Sequence, residues 1–320
     1  MAAVFAEIAL GYGRMRSLSS FSGSRISSGP LVSVIVPACN EADTISEGLR
    51  SLCFQDYEHL EIIAINDRSI DATGDVIASV SAQNPKVKAI GVDSLPGGWL
   101  GKPHAMQKGA ECASGDFLLF TDADVQLETT TVTRAVRAMT ESRLDHLCLV
   151  FRNITEGRLL NALICDAGAG LLYLLKPWRA VSSESRFFMG VGAFNMVRSS
   201  AYQAVGGHMS MKMQVIDDVF LGRRIKEAGF RQECMLADDF VRVPWYSSVA
   251  AMISGLMKNV YALFGYRFWL ALAAVAAIVA ATLIPVAGAL FATGAAKVFF
   301  TGAVLVRILS MAAGMRAMAI

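Results

Sequence analysis

From Leu31 onward, short apolar runs alternate with stretches in which apolar residues return every third or fourth position. The runs are Val32–Pro37 (VSVIVP), Leu60–Asn66 (LEIIAIN), Val87–Val92 (VKAIGV), Phe117–Thr121 (FLLFT) and His146–Phe151 (HLCLVF). Their β-branched and apolar content predicts buried strands. Between them, Ile45, Leu49 and Leu52 share one helical face, and Thr44-x-x-Glu47 has capping-box spacing. Further helices are predicted over 71–83, 104–113 and 129–141. Another follows Asp217–Asp218, with Leu221, Ile225 and Ala228 on one face and Gly229 as its stop. Strands alternating with helices predict an α/β domain with a mainly parallel sheet over residues 31–265.

The ends of the chain follow other patterns. MAAVFAEIALGYG is too short and interrupted to span a bilayer, and Arg14 and Arg16 follow the apolar run where a secretory signal has its basic residues first. Residues 1–30 therefore read as an amphipathic stub and a disordered Ser/Gly/Arg-rich tether. Residues 157–178 are apolar apart from Asn161 and Asp166, a pattern shared by a helix lying in a membrane interface and one buried against the domain. Phe268–Thr293 carries no charge and has the length of a transmembrane helix, with Trp269 at one interface and Pro285 as a kink. Val298–Met318 is a weaker second candidate because Arg307 sits near its middle. Residues 266–320 thus form a membrane region of one or two helices, placing the protein at the cell membrane. Lys258 and Arg267 just before the first span favour a cytoplasmic catalytic domain.

Composition adds limits. Hydrophobic residues make up 54% of the chain, with the excess in its last fifth, and the net charge of +2 argues against a nucleic-acid partner. The six cysteines are too widely spaced for a CxxC or zinc pattern and read as reduced small hydrophobes.

The candidate chemistry lies at strand ends, where α/β sheets bind ligands. Asp122 and Asp124, two apart in TDAD, follow the strand Phe117–Thr121 and face the same way in extended geometry. A divalent cation with oxygen preference, Mg²⁺ or Mn²⁺, would relieve their repulsion. Asp67 closes another strand in NDRSID, and Asp71 behind it fits a helix cap. Asn40 and Glu41 follow the first strand. Lys102, in PGGWLGKPHA, precedes a helix N-terminus, a combination that favours an anion. Its spacing is not that of a phosphate loop, so kinase and ATPase chemistry are not supported. Asp217 and Asp218 can serve as first-turn charges of a helix, or one of them as a general base. The glycine-rich stretch 190–208 resembles a tight substrate wall.

Taken in order, PACNE (37–41), NDRSID (66–71), GK (101–102), TDAD (121–124), GVGAFNMVR (190–198) and DD before FLGRRIKEAGF resemble the family 2 glycosyltransferases of GT-A fold, over roughly residues 31–265. The GGWLGKPHA loop and the C-terminal apolar segments are similar to the bacterial hopene-associated or carotenoid-type membrane branch. The resemblance implies an inverting, metal-dependent transferase using a nucleotide-diphosphate sugar, with a membrane lipid as acceptor. On that resemblance Pro37, Asn40 and Glu41 line the nucleotide pocket, Asp67 holds base or ribose, and Asp122 lies by ribose and diphosphate. Lys102 contacts the diphosphate, Asp124 binds Mg²⁺ or Mn²⁺, and Asp218 is the catalytic base with Asp217 its neighbour. No QxxRW motif follows, a departure from processive relatives that points to transfer of a single sugar. Two other readings stand beside this one: a nucleotidyltransferase, and a non-catalytic membrane-tethered nucleotide-sugar binder.

Overall fold

In the computed structural model, residues 2–26, 28–237 and 239–317 are described. The first half runs α1 (Ala2–Tyr12), β1 (Val32–Ala38), α2 (Ile45–Cys53), β2 (Leu60–Asp67), α3 (Thr73–Gln83), β3 (Val87–Val92), α4 (Gly101–Cys112) and β4 (Phe117–Phe120). Then come β5 (Gln126–Leu127), α5 (Thr131–Glu141), β6 (His146–Val150), β7 (Arg152–Asn153), α6 (Arg158–Leu175), β8 (Asn195–Arg198) and α7 (Ser199–Ala204). The chain ends with α8 (Asp217–Glu227), β9 (Gln232–Leu236), β10 (Val241–Val243), α9 (Val249–Leu263), α10 (Phe268–Phe291) and α11 (Gly294–Ala317).

Two compact units emerge. One comprises Arg14–Ile154 and Leu175–Trp245 and contains both sheets; the other comprises the described parts of 1–13, 155–174 and 246–320. The main sheet has the order β3-β2-β1-β4-β8-β6-β9, parallel throughout except for β8, which runs against both of its neighbours. The five predicted strands all belong to it. Strand β4 is buried along its whole length, as is β1 except at Pro37, which explains their near-continuous apolar sequence. Pairing of β1 with β4 stops at Ile35, so Pro37, which lacks an N–H, lies beyond that ladder. A small second sheet, β5-β10-β7, flanks the loop after β4. Strand β8 escapes the sequence pattern because only four residues of a mixed polar run, NMVR, form it.

Two local expectations need correction. Thr44 does precede α2, but its hydroxyl donates to Glu41 Oε2 at 2.9 Å and makes no cap, while Glu47 accepts from Gln126. The capping box is thus spent on tying loops together. Nor is the stretch after residue 13 a free tether. Met15, Leu18 and Phe21, three residues apart, are buried. Leu18 and Ser19–Ser20 form a 3₁₀ turn, and the Leu236 N–H donates to the Arg16 carbonyl at 2.9 Å. The Arg16 guanidinium also forks onto the Glu233 carboxylate. The serine- and arginine-rich composition hid a small apolar anchor that clasps the β9 edge.

In the second unit, Arg307 is what separates α11 from an ordinary span, and the fold supplies it with partners. Its guanidinium donates to Asp166 Oδ2 of α6 at 2.6 Å and to Thr282 Oγ1 of α10 at 2.8 Å. Among the described residues, two helical segments, Arg158–Arg179 and Phe268–Phe291, are long and apolar enough to cross a membrane. The first lies in sequence between β6 and β8, which pair within one sheet, so a single crossing by it would separate paired strands.

Leu18→Ala should cost about 2–4 kcal/mol, the scale for truncating a fully buried leucine. Urea unfolding of the protein would read this as a lower midpoint at unchanged slope; a free tether would give no shift.

Candidate active site

The site grows from the carboxyl ends of β1, β2 and β4. After β1, Asn40 adopts a left-handed conformation, φ 58°, and after β2 Arg68 does the same, φ 56°. Both backbones turn sharply and lock together. The Ile70 N–H donates to Asn40 Oδ1 at 2.9 Å, the Asn40 N–H to Ser69 Oγ at 3.1 Å, and the Glu41 N–H to Thr73 Oγ1 at 2.8 Å. Asp71 accepts from the Thr73 N–H at 3.0 Å and from the Ala42 N–H at 3.2 Å. It therefore braces the first loop and the start of α3, but the N-cap position itself is Ala72, one residue later than the cap reading expects. Asp67 is buried and accepts both arms of Arg68, at 2.8 and 2.9 Å. A Cβ on Gly101 would lie 2.6 Å from Asp67 Oδ2, so the start of α4 abuts this carboxylate.

Lys102, in the first turn of α4, reaches Asp122 Oδ1 at 2.5 Å. Its loop is pinned to the segment before α8: the Leu100 N–H donates to the Lys212 carbonyl at 2.9 Å, and the Lys212 ammonium sits over the Trp99 ring. Burial works against the Lys102 charge, but Asp122, Asp217 and Asp218 together outweigh it and hold the ammonium above the ordinary lysine range. The centre of the cluster is Gly192. A methyl group there would lie 3.0 Å from Asp122 Oδ2, 3.4 Å from Asp218 Oδ2 and 3.6 Å from Lys102 Nζ. Three elements distant in sequence thus converge on one residue without a side chain.

Asp217 and Asp218 occupy the first turn of α8, where the helix dipole favours negative charge. Neither is the N-cap, which is Ile216. Asp217 is buried. Burial alone would raise its proton affinity, but Lys102 and His208 outweigh it and keep the carboxyl below the usual range. Asp218 behaves oppositely: burial first, then the adjacent Asp217 charge, push it up to about 6 against the pull of Lys102. The two neighbouring carboxylates thereby differ in proton affinity, Asp217 held low and Asp218 raised.

A buried polar chain holds the backbone of Asp218. Gln232 Nε2 donates to His146 Nδ1 at 2.7 Å and to the Gly222 carbonyl at 2.8 Å; His146 Nε2 meets Asn195 Oδ1 at 2.5 Å, and Asn195 Nδ2 donates to the Asp218 carbonyl at 3.4 Å. Burial depresses the His146 pKa to about 4, so the ring is neutral and its Nε2–H is the donor to Asn195. Sequence reasoning missed both His146 and Asn195. Single polar residues inside strands have no spacing that announces them.

Asp124 is raised to about 6 by burial and by the nearby charges of Asp122 and Glu41. Among the described residues no three His, Cys, Asp or Glu side chains group as a metal cage. An octahedral ion such as Mg²⁺ needs none, since one or two carboxylates, waters and substrate phosphates suffice. The oxygen-only donors and the uncompensated negative charge at Asp124 fit such an ion.

A family model, glycosyl transferase family 2, matches residues 33–206, and the chain belongs to that family. A 4,4'-diaponeurosporenoate glycosyltransferase from Staphylococcus haemolyticus is 24% identical over 238 residues, covering 71% of this chain and 60% of that protein. A GalNAc(5)-diNAcBac-PP-undecaprenol beta-1,3-glucosyltransferase from Campylobacter jejuni is 32% identical over 98 residues, 31% of each chain. This chain therefore spans three fifths or less of the length of these relatives. Among solved structures, a mannosyltransferase from Pyrobaculum calidifontis in complex with GDP-Man and Mn²⁺ matches with a TM-score of 0.61, at 19% identity, over 98% of this chain and 95% of that one. The protein is a family 2 glycosyltransferase with the GT-A α/β fold, and its C-terminal helix α10 is a candidate membrane span by length and composition.

A Cβ on Gly190 would meet the Asp218 carbonyl at 1.9 Å, whereas one on Gly91 would touch nothing within 4 Å. Gly190→Ala is accordingly expected to lower Tm by several degrees, since overpacking costs about 1–3 kcal/mol. Gly91→Ala, the control in differential scanning calorimetry, should leave Tm unchanged.

Proposed function

We propose that the protein transfers a single sugar, with inversion, from a nucleotide-diphosphate sugar to the hydroxyl of a lipid-type acceptor at the cytoplasmic face of the cell membrane. The observation that carries this reading is the convergence of Asp122, Lys102 and Asp218 around Gly192. It gathers a cation and two carboxylates about one small opening. The paired loops at Asn40 and Asp67 offer a nucleotide pocket, with Pro37 and Glu41 at its edge.

In this mechanism Asp218 accepts the proton of the acceptor hydroxyl as its oxygen attacks the anomeric carbon. The bond from that carbon to the diphosphate oxygen breaks on the opposite face, and one in-line displacement inverts the centre. Negative charge grows on the departing diphosphate, where the Lys102 ammonium stands ready to receive it. Asp124, beside Asp122, would hold Mg²⁺ or Mn²⁺, which when bound supplies Lewis-acid stabilisation to the leaving group. Asp217 stays ionised and keeps Lys102 in place.

The acceptor class rests on the apolar second unit. Helix α10 has no buried residue and carries Trp269 near its start, with Lys258 and Arg267 before it, which supports membrane anchoring with the basic side facing the cytoplasm. The two curated relatives named above act on a carotenoid acid and on an undecaprenol-linked sugar, and both support a greasy acceptor.

Purified protein, Mg²⁺ or Mn²⁺, native lipid extract and a panel of nucleotide sugars would be assayed by mass spectrometry; a lipid gaining one sugar mass is expected. Asp218→Asn should keep donor binding and lose transfer by about 10²–10⁴-fold; undiminished transfer would remove the base from this residue. Asp124→Ala should weaken metal-dependent donor binding in calorimetry, and unchanged binding would sink the metal role. The base works only when deprotonated, so kcat/KM should rise as pH climbs through about 6 and then level.

A further inference from the structure

Beneath the catalytic turn lies a second buried histidine that the reaction as described does not use. His208 has 1% of its side chain exposed. It follows two glycines of positive φ, Gly206 at 79° and Gly207 at 50°, and a Cβ on Gly207 would strike the Tyr202 ring at 2.6 Å. The turn is thus built to lay His208 against Tyr202. The Tyr202 hydroxyl lies 2.8 Å from His208 Nδ1 and accepts the His208 backbone N–H at 3.1 Å. Phe120, the last residue of β4 before TDAD, packs its ring edge-on to the imidazole with centroids 4.9 Å apart. On the far side, His208 Nε2 faces Asp217 Oδ2 at 3.5 Å.

These contacts fix which nitrogen carries a proton. A bare nitrogen facing a buried carboxylate would repel it, so Nε2 is protonated whether the ring is neutral or charged. In the neutral ring the Tyr202 hydroxyl then donates to Nδ1. The structure assigns His208 as a positioning residue. Its Nε2–H orients the Asp217 carboxylate, Asp217 adds its charge to the field that favours the Lys102 ammonium, and Asp218 is left as the carboxylate free to take a proton. The same ring, through Phe120, ties the α8 turn to the strand that delivers Asp122 and Asp124. This inference rests on the reading of Asp218 as the base in glycosyl transfer.

Packing and hydrogen bonding can be separated by shape. Gln places an amide N–H close to the position of Nε2, while Met fills similar volume without a donor. Steady-state kinetics with the active donor and lipid extract would be measured for His208→Gln, His208→Met and Tyr202→Phe, alongside Tm and donor affinity. His208→Met is expected to lower kcat by about 10²-fold with donor KM within about threefold, the scale for losing a partner that orients a reacting group. His208→Gln should recover kcat to within about fivefold of wild type, and Tyr202→Phe should lower it about tenfold at unchanged KM. If His208→Met matched His208→Gln, or if Tyr202→Phe changed nothing, His208 would be packing alone and the inference would fall. Should His208→Met not fold, the Gln and Phe variants still decide. A wild-type protein inactive on every donor would instead overturn the glycosyl-transfer reading, and this inference with it.

Discussion

The site depends on a balance of charge around Lys102. One ammonium pairs with Asp122 and also feels the charges of Asp217 and Asp218, in surroundings that would penalise its charge alone. Removing the cation would leave Asp122 and Asp218 repelling one another across the space of a single glycine, with Asp217 adding its charge behind them. The backbone arrangement follows from this. Helix α4 must start at the end of β2 to aim Lys102 inward, positions 190 and 192 must be glycine, and α8 must present its N-terminus rather than its flank. Polar chains through His146 and His208 then fix that N-terminus, one by its backbone and one by its first side chain.

Much of this was legible in the sequence because parallel strands buried on both faces must be apolar along their length. Runs such as LEIIAIN and FLLF therefore declare themselves, and carboxylates set just beyond them stand out. Asp67, Lys102, Asp122 and Asp218 could be picked out on that basis, together with the motif order. What stayed hidden has a common cause: its meaning lies in tertiary contacts. Strand β8 is four residues of unremarkable composition whose role is to run antiparallel between two parallel blocks. His146 and His208 are isolated histidines with no repeat or spacing. Thr44 and Glu47 have the spacing of a cap, yet Thr44 bonds Glu41 of its own loop and Glu47 accepts from Gln126 of β5, the latter a case of tertiary structure overriding a local rule.

The apolar unit teaches the same lesson from the opposite direction. An arginine in the middle of α11 reads as an obstacle to a membrane helix when the helix is considered alone. With Asp166 and Thr282 as partners it becomes an internal polar knot binding three apolar helices, a use of charge that low-dielectric surroundings strengthen rather than weaken. The topology of the sheet then constrains α6, because both of its ends must return to one folded body.

The clasp between Arg16 and the β9 edge bears on how the chain acquires its shape. Arg16 and Glu233 are separated by 217 positions, so the earlier segment finds this seat only once β9 has been delivered. Until then the Arg16 backbone has no β9 strand to pair with, and that flank of the sheet stays open. Closure of that flank is thus a long-range event in the chain. Once made, it also denies that side of the sheet to any foreign strand.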